Sequence, residues 1–244
     1  MTAAAVLPRS THRTAPSTPA RAACRAVASQ RVVHQLVRRE LRLLAELATW
    51  APAGDVDRTR DLTRHADLMG RLLLQHHATE RELLWPALLR AVPADRVEPV
   101  RASVQDWTAR VAGLDHGLRD LSTAARQWAV AETASARDAF AMACLDLADA
   151  VDAQTAEEER ELLPLLTEHL PAEAWTAVTR AARCTLAPQE QLFVLGLALE
   201  DACPGDRARL LAGLSPLNRL AWRLAGRRRH RAAVVRLRGA PPAA

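Results

Sequence analysis

Four stretches of the chain, at about 22–50, 57–91, 95–130 and 134–169, place apolar residues at helical spacing. In the first, Val33, Leu36, Val37, Leu41, Leu44 and Leu47 recur every three or four residues. The segments APAGD, AVPAD and HLPAE break the pattern with proline and glycine. A helix with one apolar stripe must bury that stripe against a neighbour. Long helices joined by short breaks pack as antiparallel neighbours, so the pattern predicts an all-α, up-down-up-down four-helix bundle. The composition agrees: Ala and Leu abound, there are only nine glycines among 244 residues, and aromatics make up 3%. A chain of this length can bury a sizeable core without staples.

Beyond the fourth stretch, residues 171–238 read as three or four shorter helices broken at LAPQ, ACPGD and GLSP. LFVLGLALE is apolar enough to pack on the bundle rather than stand alone. Residues 1–20, rich in Pro, Ser and Thr, read as a disordered arm. The expected organisation is therefore an arm over 1–20, a bundle over 21–170, a helical extension over 171–238 and a disordered tail over 239–244.

The formal net charge of +5 conceals a division. Residues 1–39 carry seven Arg and no acid, and residues 207–244 carry ten Arg and no acid. All 28 acids lie between, against 16 Arg, which makes the middle acidic. Basic ends on an acidic body are expected to fold back on it; the sharper alternative is that they touch nucleic acid or an anionic membrane surface. Only Trp222 interleaves that segment, and no nucleic-acid motif accompanies it. Lysine is absent, so every cation is arginine.

Cys24, Cys144, Cys184 and Cys203 are far apart with no CxxC pair, as expected of small hydrophobes in a reducing cytoplasm. No window is long and apolar enough to span a membrane, and the N-terminus lacks the apolar core of a signal peptide. A cytoplasmic location follows as the expectation. No GxSxG motif, phosphate-cradling glycine loop or dinucleotide fingerprint appears, so the sequence nominates no catalytic nucleophile.

Chemistry concentrates in HHATERELLWPALL, residues 76–89. His76 and Glu80 are four apart, so on a helix they share a face and can reach one cation. QTAEEERELLPLL, residues 154–166, repeats the ERELL letters without the histidines, pairing Glu80 with Glu159 at an offset of 79. The echo suggests a duplicated helical hairpin. His34 and His116 lie on the first and third predicted helices, and Glu158 and Glu159 on the fourth, so each helix can offer a nitrogen or oxygen donor. Carboxylate with imidazole suits iron, manganese or zinc, and the lack of thiolates argues against an iron–sulfur cluster.

A first-helix His, a second-helix His-x-x-x-Glu followed by Trp-Pro, a third-helix His and a fourth-helix Glu-Glu with Leu-Pro resemble the hemerythrin-like (HHE cation-binding) family over about 30–168. The stretch QLFVLGLALEDACPGDRARLLAGLSPLNRLAW resembles the C-terminal extension of actinobacterial members. The resemblance implies a non-haem di-iron centre with terminal histidines and bridging carboxylates. Carried over residue by residue, it makes His34, His76, Glu80, His116 and Glu159 the metal ligands.

Two departures stand out. Gln154 occupies the place of the fourth-helix His, and Ala112 and Asp120 flank His116 where a second third-helix His is expected. The implied site is thus a degenerate one, with iron held as a mononuclear or incomplete di-iron centre. His65, three turns before His76, and Asp120 are candidate substitutes for lost donors; His77 is expected to face a neighbouring helix or solvent. His12, His169 and His230 are not expected at the site, Trp85 and Pro86 are expected to serve packing, and Glu157 to be a solvated charge. The implied function is binding or sensing of oxygen, peroxide, nitric oxide or iron, with peroxide decomposition as the enzymatic variant. The alternative is a metal-free helical scaffold whose basic C-terminal segment docks on a protein or nucleic-acid partner.

Overall fold

A computed structural model describes the backbone of residues 19–212 and 214–239, with side chains from Ala26 onward except at positions 204, 206, 209 and 212. The expected arm over 1–20 and tail over 239–244 lie almost wholly outside the described residues, as do His12 and the Cys24 side chain. Everything described is helix, turn or loop, with no strand among the described residues.

Four long helical rods come first. They are α1 (Pro19–Thr49); α2 (Val56–Thr79), which runs through a π-helical turn (Glu80–Leu84) into α3 (Trp85–Ala91); α4 (Val97–Ala131); and α5 (Ala134–Glu161), followed by α6 (Leu163–His169). Helix α1 packs against α5 and α2, and α4 against α5 and α2. Local chemistry sets the ends. Asp55 caps α2 by accepting from Arg58 N–H at 2.9 Å, and Thr133 caps α5 by accepting from Ala136 N–H at 3.3 Å. Helix α4 stops where Glu132 turns left-handed (φ +53°). Its carbonyl accepts from Gly54 N–H, itself at φ +78°, which ties two loops at one end of the bundle.

The interior is two apolar clusters rather than one. The larger holds Leu41 and Leu44 of α1, Leu62 to Leu73 of α2, Leu114 to Trp128 of α4 and Phe140 to Val151 of α5. The smaller holds Leu84, Trp85 and Leu88 beyond the π turn, Trp107 and Val111 of α4, and Leu162, Leu163 and Leu166. Trp85 is buried there, edge-on to Trp107 at 5.5 Å between ring centroids. Between the two clusters runs a layer of buried polar side chains.

The rest of the chain forms α7 (Ala172–Ala181), α8 (Pro188–Glu200), α9 (Pro204–Ala212), α10 (Pro216–Ala221), a second π turn (Trp222–Gly226) and α11 (Arg227–Arg238). Val194, Leu197 and Ala198 of α8 and Val234 and Leu237 of α11 join the larger cluster, so these helices share its core. Gly196 makes that crossing possible, because a Cβ there would overlap the His230 ring. The basic end does fold onto the acidic body in part: Arg238 bridges Glu40 and Glu200 at 2.8 and 2.7 Å, and Arg236 pairs with Asp61 at 3.3 Å. No helix among the described residues is long and apolar enough to cross a membrane.

Candidate metal centre

Where the two apolar clusters meet, four helical segments each turn a polar side chain inward. Helix α1 supplies His34 with Gln30 one turn before it, and α2 supplies His76 and His77. The π turn supplies Glu80, and α5 supplies Glu158 with Gln154 one turn before it. The π turn is visible in Trp85 N–H bonding back to Glu80 C=O, five residues earlier, immediately before Pro86, which has no N–H to give.

His34, His76, Glu80 and Glu158, all buried, bring one ligand atom each to within 4.8 Å of one another. The two Nε2 atoms of His34 and His76 stand 3.1 Å apart, and His34 Nε2 lies 3.5 Å from Glu158 Oε1. His76 Nε2 lies 3.2 Å from Glu80 Oε1. Neutral donors hold the carboxylates from behind. Trp107 Nε1–H and Gln154 Nε2–H both donate to Glu158 Oε2 at 3.0 Å, and Gln30 Nε2–H donates to Glu80 Oε1. On its far side His34 Nδ1 meets Glu159 Oε1 at 3.1 Å. With the ring proton on Nδ1 donating to that carboxylate, the Nε2 lone pair faces the cluster, as a ligating imidazole requires.

The electrostatics show a site short of positive charge. Burial pushes Glu80 well above the usual carboxyl range, and the Glu158 charge beside it adds to the push. Burial would raise Glu158 too, but His34 and His76 outweigh it and hold that carboxyl below its ordinary value. One of the two carboxyls is therefore a proton carrier and the other an anion. Burial likewise works to lower His34, yet Glu158 and Glu159 prevail and raise it. Burial, then His34 and His77, drive His76 well below its usual value. Glu80 Oε2 and Glu158 Oε1 receive a hydrogen bond from no other side chain, so the proton that Glu80 keeps beside Glu158 is all that offsets the second charge. Buried carboxyls with so few donors are costly, and two of them beside two imidazoles make a donor set that a cation fits.

A family model described as the hemerythrin HHE cation-binding domain matches residues 25–166, more than half of the chain. The chain belongs to that family. Neither a curated protein nor a solved structure matches it. The four side chains that converge in this HHE domain are two imidazoles and two carboxylates, a mixture that could hold a borderline first-row cation without thiolates.

Of the five side chains expected at the HHE site, the fold brings three into the cluster: His34, His76 and Glu80. His116 does not belong there. Its side chain is 74% exposed on α4 and pairs with Asp120 at 3.2 Å, so Asp120 is no substitute donor either. The inward face of α4 near the layer carries Trp107, Val111 and Leu114, and His116 lies nearly opposite.

Glu159 stands one step outside, partly exposed, touching His34 from behind together with Arg31 and Arg38. Its place in the cluster is taken by Glu158. The repeated ERELL letters mislead by one residue. Burial follows an offset of 78, pairing Glu80 with Glu158, Leu84 with Leu162, Trp85 with Leu163 and Leu88 with Leu166. The prolines, Pro86 and Pro164, keep the same offset. In that register Gln154 stands to Glu158 as His76 stands to Glu80.

Three more histidines are buried. His65 is buried but bonds Glu40 Oε2 through Nε2 at 2.8 Å, away from the cluster. His77 is buried beside the layer, edge-on to Trp107, with neither ring nitrogen bonded and its pKa lowered by burial to about 4. His230 lies outside the cluster, as expected, buried against Glu200 at 2.9 Å. Gln30 and Trp107 went unnoticed, though each left a signal: Gln30 precedes His34 by four, and Trp107 precedes Val111 by four on an apolar face.

Proposed function

We propose that this domain holds a single non-haem iron ion through His34, His76, Glu80 and Glu158, and uses it to bind or sense oxygen, peroxide, nitric oxide or iron itself. The observation that carries the reading is the convergence of four buried donors, with two carboxylate oxygens among them that no other side chain donates to. The four long rods are read as the up-down-up-down arrangement that lets facing helices build such a site. A single ion is favoured over two because His116 lies outside the layer and an amide, Gln154, stands where a further imidazole would be needed.

Bound iron would supply a redox-active Lewis acid held by His34, His76, Glu80 and Glu158. The chain's own residues do the rest. Trp107 and Gln154 orient Glu158, Gln30 orients Glu80, and Glu159 fixes the His34 tautomer. His77, neutral and unbonded beside the cluster, is the group placed to hydrogen-bond a small ligand. The apolar clusters above and below keep water out of the layer.

The test is metal analysis of protein purified anaerobically from iron-supplemented cells, with Glu158→Ala, Glu80→Ala and His116→Ala alongside. One iron per chain in the parent and His116→Ala, and loss in both glutamate variants, is expected. Equal metal content in all four would end the reading.

A second reading, a metal-free scaffold that docks through its basic segment, is favoured by one observation. Arg227, Arg228 and Arg231 of α11 are exposed and form no ion pair among the described residues. That reading expects melting unchanged by chelator, whereas bound metal must add stability.

A further inference from the structure

Away from the metal layer, α2, α8 and α11 line a half-open cavity of about 490 Å³. Its position on α2 is marked by His65, eleven residues before His76, or roughly 16 Å along a helix axis. The floor is apolar, with Leu68, Phe193 and Leu237 among its lining. Phe193 sits between two imidazoles, its ring centroid 5.7 Å from His65 and 5.5 Å from His230. Each imidazole is anchored by a carboxylate behind it, His65 by Glu40 and His230 by Glu200. Arg238 spans both carboxylates. Ring, imidazoles and ion pairs lock one another, so the floor is preformed.

The charges around this cavity do not cancel. Asp61 is taken up by Arg236, and Glu190 is taken up by Arg71. Arg64 and Arg229, which also line the cavity, form no ion pair or hydrogen bond among the described residues. One comes from α2 and the other from α11, so two uncompensated cations flank an apolar floor from two walls. Burial of an apolar body with charge neutralisation at the rim is the pattern of an amphiphile site.

We propose that this cavity is a binding site for a small amphiphilic carboxylate, its chain or ring lying on Phe193, Leu68 and Leu237 and its head group meeting Arg64 and Arg229. Its volume lies within the range of about 300–1,000 Å³ typical of small-molecule sites. Because its walls belong to both the bundle and the C-terminal helices, occupancy ties α11 to α2 and stabilises the docked extension. The proposal is independent of the metal reading and stands or falls without it.

The experiment is isothermal titration calorimetry of the full chain with sodium decanoate, 1-decanol and decylamine. One decanoate per chain is expected, with decanol about tenfold weaker and decylamine not binding, since only the carboxylate can use the arginines. The double variant Arg64→Ala/Arg229→Ala should bind decanoate about tenfold more weakly while keeping its helical circular dichroism, both side chains being exposed. Ala233→Phe, which fills the cavity, should abolish binding; if that variant fails to fold, the double arginine variant decides alone. Absence of decanoate binding would overturn the proposal. So would several molecules bound per chain, decanol bound as tightly as decanoate, or binding undiminished in the double arginine variant.

Discussion

Glu80→Gln separates what the metal layer costs the fold from what it provides. Glu80 is fully buried, and burial with Glu158 beside it keeps its proton on well above the ordinary carboxyl value of 4.5. The unfolded chain gives that proton up freely as pH passes 4.5. Stability of the metal-free protein therefore falls as pH rises from about 4.5 toward the folded value, opposite to the usual carboxylate. At pH 7 the cost reaches at most about 3 kcal/mol, since each pH unit beyond 4.5 adds about 1.4 kcal/mol.

Glutamine mimics the protonated acid, keeps an oxygen for Gln30 Nε2–H, and has no proton to lose. Chelator-treated Glu80→Gln should thus melt above the parent at pH 7 by up to about 10 °C, and the gap should close near pH 4. Ferrous iron in about hundredfold excess over Kd should raise the parent by about 3 kcal/mol and leave the variant where it was. Anaerobic circular-dichroism melts at pH 4 and 7, with EDTA or Fe(II), read all four corners. A chelated variant that melts below the parent at pH 7 would refute the reasoning, because Glu80 would then be ionised and usefully paired without any cation.

Three further outcomes are expected. Glu40 is held down to about 2 because His65, Arg39 and Arg238 outweigh its burial, so its contribution is complete above pH 4.5 and lost as pH falls toward 2. Acid melts should lose about 3 kcal/mol across that window in the parent, and Glu40→Gln should flatten the slope while lowering stability at pH 7. Trp107→Phe removes one of the two donors on Glu158 Oε2 and should cost about 1–3 kcal/mol in urea unfolding, together with weaker iron binding in a competition titration. Gly196→Ala sets a methyl against the His230 ring and should destabilise by about 1–3 kcal/mol, with Gly196→Ala/His230→Ala less damaging than the sum of its parts.

Much of this protein was legible in its letters. Helical period and proline and glycine breaks act within a few residues, so the helical segmentation could be read without knowing what packs on what. The His76–Glu80 pair was equally legible, because side chains four apart share a helix face wherever the helix goes. His34 could be nominated as a polar residue inside an apolar stripe.

Tertiary structure decided everything that depends on how a helix is rotated about its axis. Adjacent residues differ by about 100°, so choosing Glu158 over Glu159 required knowing which face of α5 meets α1 and α4. The same rotation turned His116 outward and put Trp107 in the layer. Local propensity is silent on rotation; distant apolar faces set it by burying themselves together, and repeated letters misread it by one position. The partners of His65 and His230 were hidden for a related reason. Glu40 and Glu200 stand 25 and 30 residues away in sequence, and only the docking of α8 and α11 against α1 and α2 joins the two ion pairs into one network.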